Sequence, residues 1–220
     1  MTAIIMRNSK GLKLIKKLVI HGAGETNCSL NVCSGSVVEF RPTTLYSSKS
    51  AIVNAANQGC IDGGGVDGAI NVAGGKNLKA DRLALPIIGE KGKKVRCPTG
   101  DAKIVGPGIY GNLAVPYVIH AVGPNYNFVS VEVGDQLLYS AYEASLFQAK
   151  LVGVQEIAFS LLSAGVYRGN RKIDDVLNIA VQATIDFQRK HGTPISVHLC
   201  AFTKEQERAL LFLTEHLQEE

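Results

Sequence analysis

From residue 117 onward the chain alternates short apolar runs (117–122, 154–159, 195–201) with longer segments of helical periodicity (136–152, 172–191 and a last one after 203). Few folds tolerate that order. Strands joined by crossover helices lie parallel, and a parallel sheet must be covered on both faces. The order therefore predicts an α/β chain with helices on both sides of a mostly parallel sheet and ligands beyond the carboxyl ends of its strands. Further runs at 17–20, 29–33 and 51–53 extend the sheet. The helix ends are legible too. Asp135 is a candidate N-cap, and Gly153 a stop, for 136–152; Ile173, Val176, Leu177, Ala180, Val181 and Thr184 share one face of 172–191 before Gly192 and Pro194. Thr203 and Gln206 form a capping box ahead of a helix carrying Leu210, Leu213 and Leu217. The stretch 75–115, rich in Gly, Pro and Lys, reads as irregular connection with one short helix at most. No linker divides the chain, so 1–220 is read as one domain, with 1–24 a basic extension or a first strand.

Composition removes several classes of function. With 220 residues, 46% of them hydrophobic, the chain can bury a real core, and disorder is excluded. No apolar run reaches the eighteen or so residues of a membrane-spanning helix. The net charge is +4, with Lys and Arg mostly interspersed with acids, which fits a small anionic ligand better than a nucleic-acid partner. Cys28, Cys33, Cys60, Cys97 and Cys200 form no C-x-x-C pair, which argues against a zinc site or a disulfide framework. They read as free thiols in a reducing compartment, cytoplasmic or nuclear. Arg7, Lys10, Lys13, Lys16 and Lys17 precede the first acid, Glu25, and leave a mitochondrial address open.

The most informative segment is Ala51-Ile-Val-Asn-Ala-Ala-Asn57, followed after five residues by Gly63-Gly64-Gly65-Val66-Asp67-Gly68. A strand ends in two Asn residues, and three glycines then lead into a helix. Glycine lets backbone N–H groups approach an anion, and the helix dipole favours negative charge there, so a phosphate is expected. Gly63, Gly65 and Gly68 also satisfy G-x-G-x-x-G, but the nine residues between Val53 and Gly63 do not fit a dinucleotide turn, which disfavours a nicotinamide-dependent oxidoreductase. Asn54 and Asn57 are turn formers or ligand contacts; Asp67 completes the helix dipole or orients water.

This segment, together with Cys97-Pro-Thr-Gly-Asp-Ala-Lys103, Val118-Ile-His-Ala-Val-Gly-Pro124 and Ser163-Ala-Gly-Val-Tyr167, closely resembles the macrodomains, and among them the MacroD-type branch, over about residues 30–217. The resemblance implies a three-layer α/β/α sandwich with a mixed central sheet that binds ADP-ribose as a monomer, without a metal or cofactor. It implies hydrolysis of ADP-ribosyl esters: mono-ADP-ribosylated acidic side chains of proteins, or O-acetyl-ADP-ribose. A non-catalytic ADP-ribose reader is the alternative. Carried over by motif, Asn57 contacts the distal ribose and Asp67 orients the catalytic water. The amides of Gly64, Gly65 and Val66 face the diphosphate and distal ribose, those of Ser163, Ala164, Gly165 and Val166 form a second phosphate loop, and Tyr167 lies against the ribose. Ser36 and Val37 line the adenine end, and Phe202 packs on the base. Tyr167 is otherwise a loop aromatic and Phe202 a core residue.

Three positions depart from the family. Gly35-Ser36-Val37 stands where Gly-Asp-Ile is usual, removing the carboxylate that receives the adenine amino group; Glu25 or Glu39 are the candidate substitutes. Asn71 replaces a His, and Arg168 a Gly, with Arg168 either reaching a phosphate or solvated. His120 reads as a core histidine, Lys91, Lys93 and Lys94 as a solvated loop, and Cys60 lacks a His partner in sequence for nucleophilic chemistry.

Overall fold

A computed structural model describes residues 11–22, 27–42, 47–89, 92–192, 194–215 and 217. Seven strands form one sheet: β1 (Lys13–His21), β2 (Asn27–Ser34), β3 (Ser50–Ala55), β4 (Ala102–Val105), β5 (Tyr117–Ala121), β6 (Glu156–Ser160) and β7 (Ser196–Ala201). Their spatial order is β1-β2-β7-β6-β3-β5-β4. The five inner strands, β2 to β5, are mutually parallel, and the edge strands β1 and β4 pair antiparallel with β2 and β5. The sheet is therefore mixed. Among the described residues, four α-helices flank the sheet: α1 (Gly65–Ala84), α2 (Val131–Leu151), α3 (Ile173–His191) and α4 (Lys204–Leu213).

Strand residues alternate between two cores. Val53, Ile119, Phe159 and Leu199 pack with α2, α3 and α4 on one face, whereas Ile52, Val118, Ala158 and Cys200 pack with Ile70 and Leu78 of α1 on the other. Burial on both faces explains why the inner strands read as unbroken apolar runs, and the arrangement is the expected α/β/α sandwich. The first phosphate-loop candidate follows β3 and the second follows β6, its parallel neighbour. Both loops thus leave the same edge of the sheet. Ser160 Oγ ties the two strand ends together, donating to the Val53 carbonyl at 2.8 Å and accepting from the Ala55 N–H at 2.9 Å.

Three expectations need correction. The stretch 75–115 is more ordered than its composition suggests, because α1 continues to Ala84 and β4 occupies Ala102–Val105. Helix α2 is capped by Ser130, whose Oγ accepts from the Val133 N–H, and not by Asp135, whose carboxylate instead takes the Tyr126 hydroxyl and the Arg171 guanidinium. Helix α4 ends at Leu213; Leu217 lies beyond it yet packs on the core. The other helix signals hold: Gly192 takes the left-handed C-cap of α3, and Thr203 and Gln206 make the reciprocal capping box of α4. β1 shows that the basic segment contributes a strand, while residues 1–10 and Glu25 lie outside the described residues. All five cysteines are buried, and none of them forms a disulfide. Among the described residues, no helix is long and apolar enough to cross a membrane.

His198 on β7 illustrates a cost of this packing. It stacks on Phe40 with ring centroids 5.1 Å apart, and burial pushes its pKa down to about 4. The unfolded chain takes up this proton near pH 6.5 while the folded chain does not, so the unfolded state binds more protons between about 6.5 and 4 and stability falls as pH falls through that window. Denaturant titrations between pH 7 and 5 should show that fall, and His198→Gln should make it shallower. An unchanged slope in the variant would remove His198 from the account.

Candidate functional site

The carboxyl ends of β3, β6 and β7 open into a groove with two adjoining cavities of about 350 and 400 Å³, which share Gly65, Val66, Leu161 and Gly165. The smaller is largely apolar and includes Ser36, Val37 and Phe202; the larger includes Asn57, Gly63–Val66, Asp67, Ser163, Gly165, Val166 and Tyr167. The fold thus gathers on one surface nearly all the residues singled out in the sequence. Ala164 is the exception: it is buried behind the groove. Phe202, 74% exposed, is not a core residue.

The two loops prepare the groove for an anion. The first-turn amides of α1 have no acceptor within the helix. Gly65, at φ +58°, holds the entry turn in a conformation that favours glycine. A Cβ placed on Gly64 or on Gly165 would meet nothing within 4 Å. Neither has a positive φ, so no neighbouring atom and no left-handed turn reserves these positions for glycine, while both border the groove. In the second loop Ser163 adopts φ +53°, a strained value for a residue with a side chain, and is held by donation from Oγ to the Pro124 carbonyl at 2.7 Å.

Asp67 is 2% exposed and anchored on one oxygen only. Its Oδ1 accepts from Asn54 Nδ2 at 2.7 Å and lies 2.7 Å from Arg82 Nη2, whereas Oδ2 has no hydrogen-bond partner among the described residues. Behind Asn54, directly across the β3–β5 register, His120 presents Nδ1 at 3.1 Å. Burial lowers the His120 pKa to about 3, so the ring is neutral and its Nδ1 can accept. His120 is a core histidine, as expected. A Cβ at Gly63 would come 2.6 Å from Asp67 Oδ2 and 3.4 Å from Asn57 Nδ2, so glycine is what lets these two groups share one corner of the groove. Asn57 itself serves the loop: Oδ1 accepts from the Gly59 N–H at 2.9 Å and Nδ2 donates to the Asp62 carbonyl at 2.6 Å.

Arg82 was not anticipated. It lies fifteen residues after Asp67, a separation of ~22 Å along a straight helix, yet the two side chains touch. The reason is Gly75, whose φ of 64° and ψ of −156° break α1 and turn its second half back. Arg82 is fully buried; its Nε donates to the Cys60 carbonyl at 2.6 Å and its Nη1 to Asn71 Oδ1 at 3.1 Å. Asn71 in turn donates to the Ile61 carbonyl at 3.1 Å, which gives this departure from the family a role in fixing the loop. The sequence did carry a signal: Ile70, Gly74, Leu78 and Arg82 form one row at intervals of four, and a charge on such a row needs a buried partner.

The remaining candidates fall outside the groove. Arg168 neither borders it nor is fully solvated; it donates to the Arg171 carbonyl at 3.1 Å. Lys93 and Lys94 are exposed, as expected, and Lys91 lies outside the described residues. Cys60 is buried against Cys97, away from the groove lining. No described group of His, Cys, Asp and Glu could hold a metal ion.

An α/β/α sandwich with two amide loops and a buried carboxylate at the carboxyl edge of its sheet defines a nucleotide-type binding domain without a dinucleotide turn. The Macro domain profile matches residues 53–180, and the chain belongs to the macrodomain family. It is 40% identical over 162 residues to the O-acetyl-ADP-ribose deacetylase of Escherichia fergusonii, spanning 71% of this chain and 82% of that protein. A macro domain-containing protein of Caldanaerobacter subterraneus is 44% identical over 142 residues, 62% of this chain and 72% of its own length. The solved Oceanobacillus iheyensis macrodomain with ADP superposes with a TM-score of 0.73 at 25% identity, covering 93% of this chain and 97% of that one.

The Arg82–Asp67 pair yields a stability test. Arg82→Met should cost about 3–5 kcal/mol in denaturant unfolding, because it leaves a buried carboxylate uncompensated. Adding Asp67→Asn to that variant should recover part of the loss. Additive losses in the double variant would mean that the two groups do not interact.

Proposed function

We propose that the groove binds ADP-ribose and that the chain hydrolyses esters of it, with mono-ADP-ribosylated acidic side chains and O-acetyl-ADP-ribose as the substrate classes. The observation that carries this reading is the Asp67 oxygen without a partner among the described residues, on a buried carboxylate that borders the groove beside the two glycine-bearing loops. The name of the Escherichia fergusonii relative and the ADP held by the Oceanobacillus iheyensis macrodomain support it. In this reading the base lies in the apolar cavity against Phe202 and near Ser36 and Val37. The diphosphate lies between the amides of Gly64–Val66 and those of Ser163, Gly165 and Val166, and the distal ribose lies between Asn57, Asp67 and Tyr167; Ala164, whose N–H donates to the Leu161 carbonyl at 3.4 Å, drops out of the second loop's set.

Water held at Asp67 Oδ2 attacks the acyl carbon of the ester; its oxygen bonds to that carbon, the bond from the acyl carbon to the ribose oxygen breaks, and the acid leaves with the new oxygen and gives its proton to solvent. The proton that Asp67 takes from the attacking water passes on to the ribose oxygen, which leaves as a hydroxyl. Asn54 and Arg82 act as positioning residues, since they hold Oδ1 and leave Oδ2 without a partner among the described residues. Fixed dipoles that need no reorganisation during reaction are the largest contribution available to a site of this kind. A second reading, binding without cleavage, draws on Asn57, whose carboxamide is committed at both ends to its own loop.

Asp67→Asn separates the two readings, because it keeps an acceptor for Asn54 and Arg82 while replacing the free oxygen with an amide nitrogen. Release of ADP-ribose from an auto-modified ADP-ribosyltransferase should stop in this variant. Calorimetric affinity for ADP-ribose, measured with a metal chelator present, should stay within about tenfold, or roughly 1.4 kcal/mol. Full turnover by the variant would reject the mechanism; no release by the wild type would leave the binding-only reading.

The base end gives another test. Among the described residues, no acidic one lines the apolar cavity, and Glu39 lies outside it. A neutral Ser36 hydroxyl bonds the adenine amino group more weakly than a carboxylate does. The wild type should therefore tolerate hypoxanthine in place of adenine, and Ser36→Asp should tighten ADP-ribose by about 1 kcal/mol, part of the ~1.5–3 kcal/mol of a hydrogen bond to a charged group. Strong adenine preference in the wild type, unchanged by Ser36→Asp, would show that another group holds the base.

A further inference from the structure

Beyond the ribose end the groove continues into a third cavity of about 560 Å³, which shares Asn57, Gly123 and Tyr167 with the second cavity and no residue with the first. The three cavities thus follow one another, and Asn57 and Tyr167 stand at the last divide. We propose that this third cavity is the acceptor subsite, which takes the peptide segment whose aspartyl or glutamyl side chain is esterified to the distal ribose. The proposal rests on the orientation of ADP-ribose given above.

Three observations support that occupant. The first is size. An acetyl group would leave most of 560 Å³ empty, whereas an acidic side chain with its flanking backbone would fill it. The second is charge: among the described residues no Asp, Glu, Lys or Arg borders the cavity, which offers instead the carboxamides of Gln58 and Asn125 and the hydroxyl of Thr99. An esterified carboxyl is neutral and suits such a lining. Once the ester is cleaved, the new carboxylate is an anion in a site without a cation to hold it, and its burial becomes unfavourable. The same lining that accepts the substrate therefore favours release of the product. A guanidinium-linked conjugate, which carries positive charge, would find no carboxylate there.

The third observation is the rim. Phe128 is 85% exposed, yet its backbone is fixed by donation from its N–H to the Asn125 carbonyl at 3.0 Å. Val131 and Val133, also exposed, continue the apolar edge along the start of α2. An aromatic ring held out at the mouth of a substrate groove is suited to cover an apolar residue next to the modified one. Phe128 lines neither of the two cavities assigned to ADP-ribose, so it serves discrimination between conjugates and not binding of the nucleotide.

The test compares free ADP-ribose with a peptide whose glutamine side-chain nitrogen carries ADP-ribose, an amide that replaces the ester and resists hydrolysis. Calorimetry on the wild type should show the conjugate binding about tenfold more tightly than ADP-ribose. Phe128→Ala should erase that advantage and leave ADP-ribose affinity unchanged. Equal binding of the two ligands by the wild type, an equal loss on both in Phe128→Ala, or an arginine-linked conjugate that gains as much, would overturn the proposal. Since none of these measurements needs turnover, a wild type that fails to hydrolyse O-acetyl-ADP-ribose would reject the hydrolase reading and leave the subsite comparison to stand or fall by itself.

Discussion

The buried ion pair between Arg82 and Asp67 is the constraint on which the site depends. A carboxylate out of water is tolerated only if its charge is met, and a guanidinium in the same position is tolerated only if its donors are occupied. Here the two charges meet each other, with Arg82 Nη2 2.7 Å from Asp67 Oδ1, while Nε and Nη1 donate to the Cys60 carbonyl and to Asn71. Those contacts also pin the loop between Asn57 and Gly63, whose carbonyls and amides are held by Asn57 and Asn71. One interaction therefore stabilises α1 in its bent form, closes the loop and orients the carboxylate.

The parallel sheet supplies the complementary half. Because β3 and β6 are neighbours running in one direction, the loops that follow them emerge side by side and border one groove. Amides are well suited to an anion here because they carry no net charge that would need burial when the groove is empty, and they do not titrate. The net charge of the chain, only +4, is consistent with recognition by fixed dipoles more than by a basic patch.

Much of the scaffold was legible in the sequence. All six strands expected from apolar runs are present, and α3 and the capping box of α4 stand where periodicity and capping residues put them. These features are local, because the residues that make them lie within a few positions of one another. What failed was also local in origin. Gly, Lys and Pro between 75 and 115 lowered the apparent order of a segment that holds half a helix and an edge strand, since an edge strand of four residues buries too little to leave a pattern. Asp135 resembled a cap because nothing nearby in sequence announced Tyr126 and Arg171 as its partners.

The sequence by itself determined six strands and the helices between them, the glycine loop, and the residues Asn57, Asp67, Ser163–Tyr167 and Phe202 as candidates for one site, through periodicity and through motifs whose spacing is fixed along the chain; β4 was not among them. Tertiary structure decided what each of them does. It gave Asp67 one anchored and one free oxygen, committed Asn57 to its loop, carried Phe202 out of the core and brought Arg82 back past a bend at Gly75 to a partner fifteen residues away. The physical reason is that hydrogen-bond partners and burial are set by distances across the fold, which spacing along a chain does not specify.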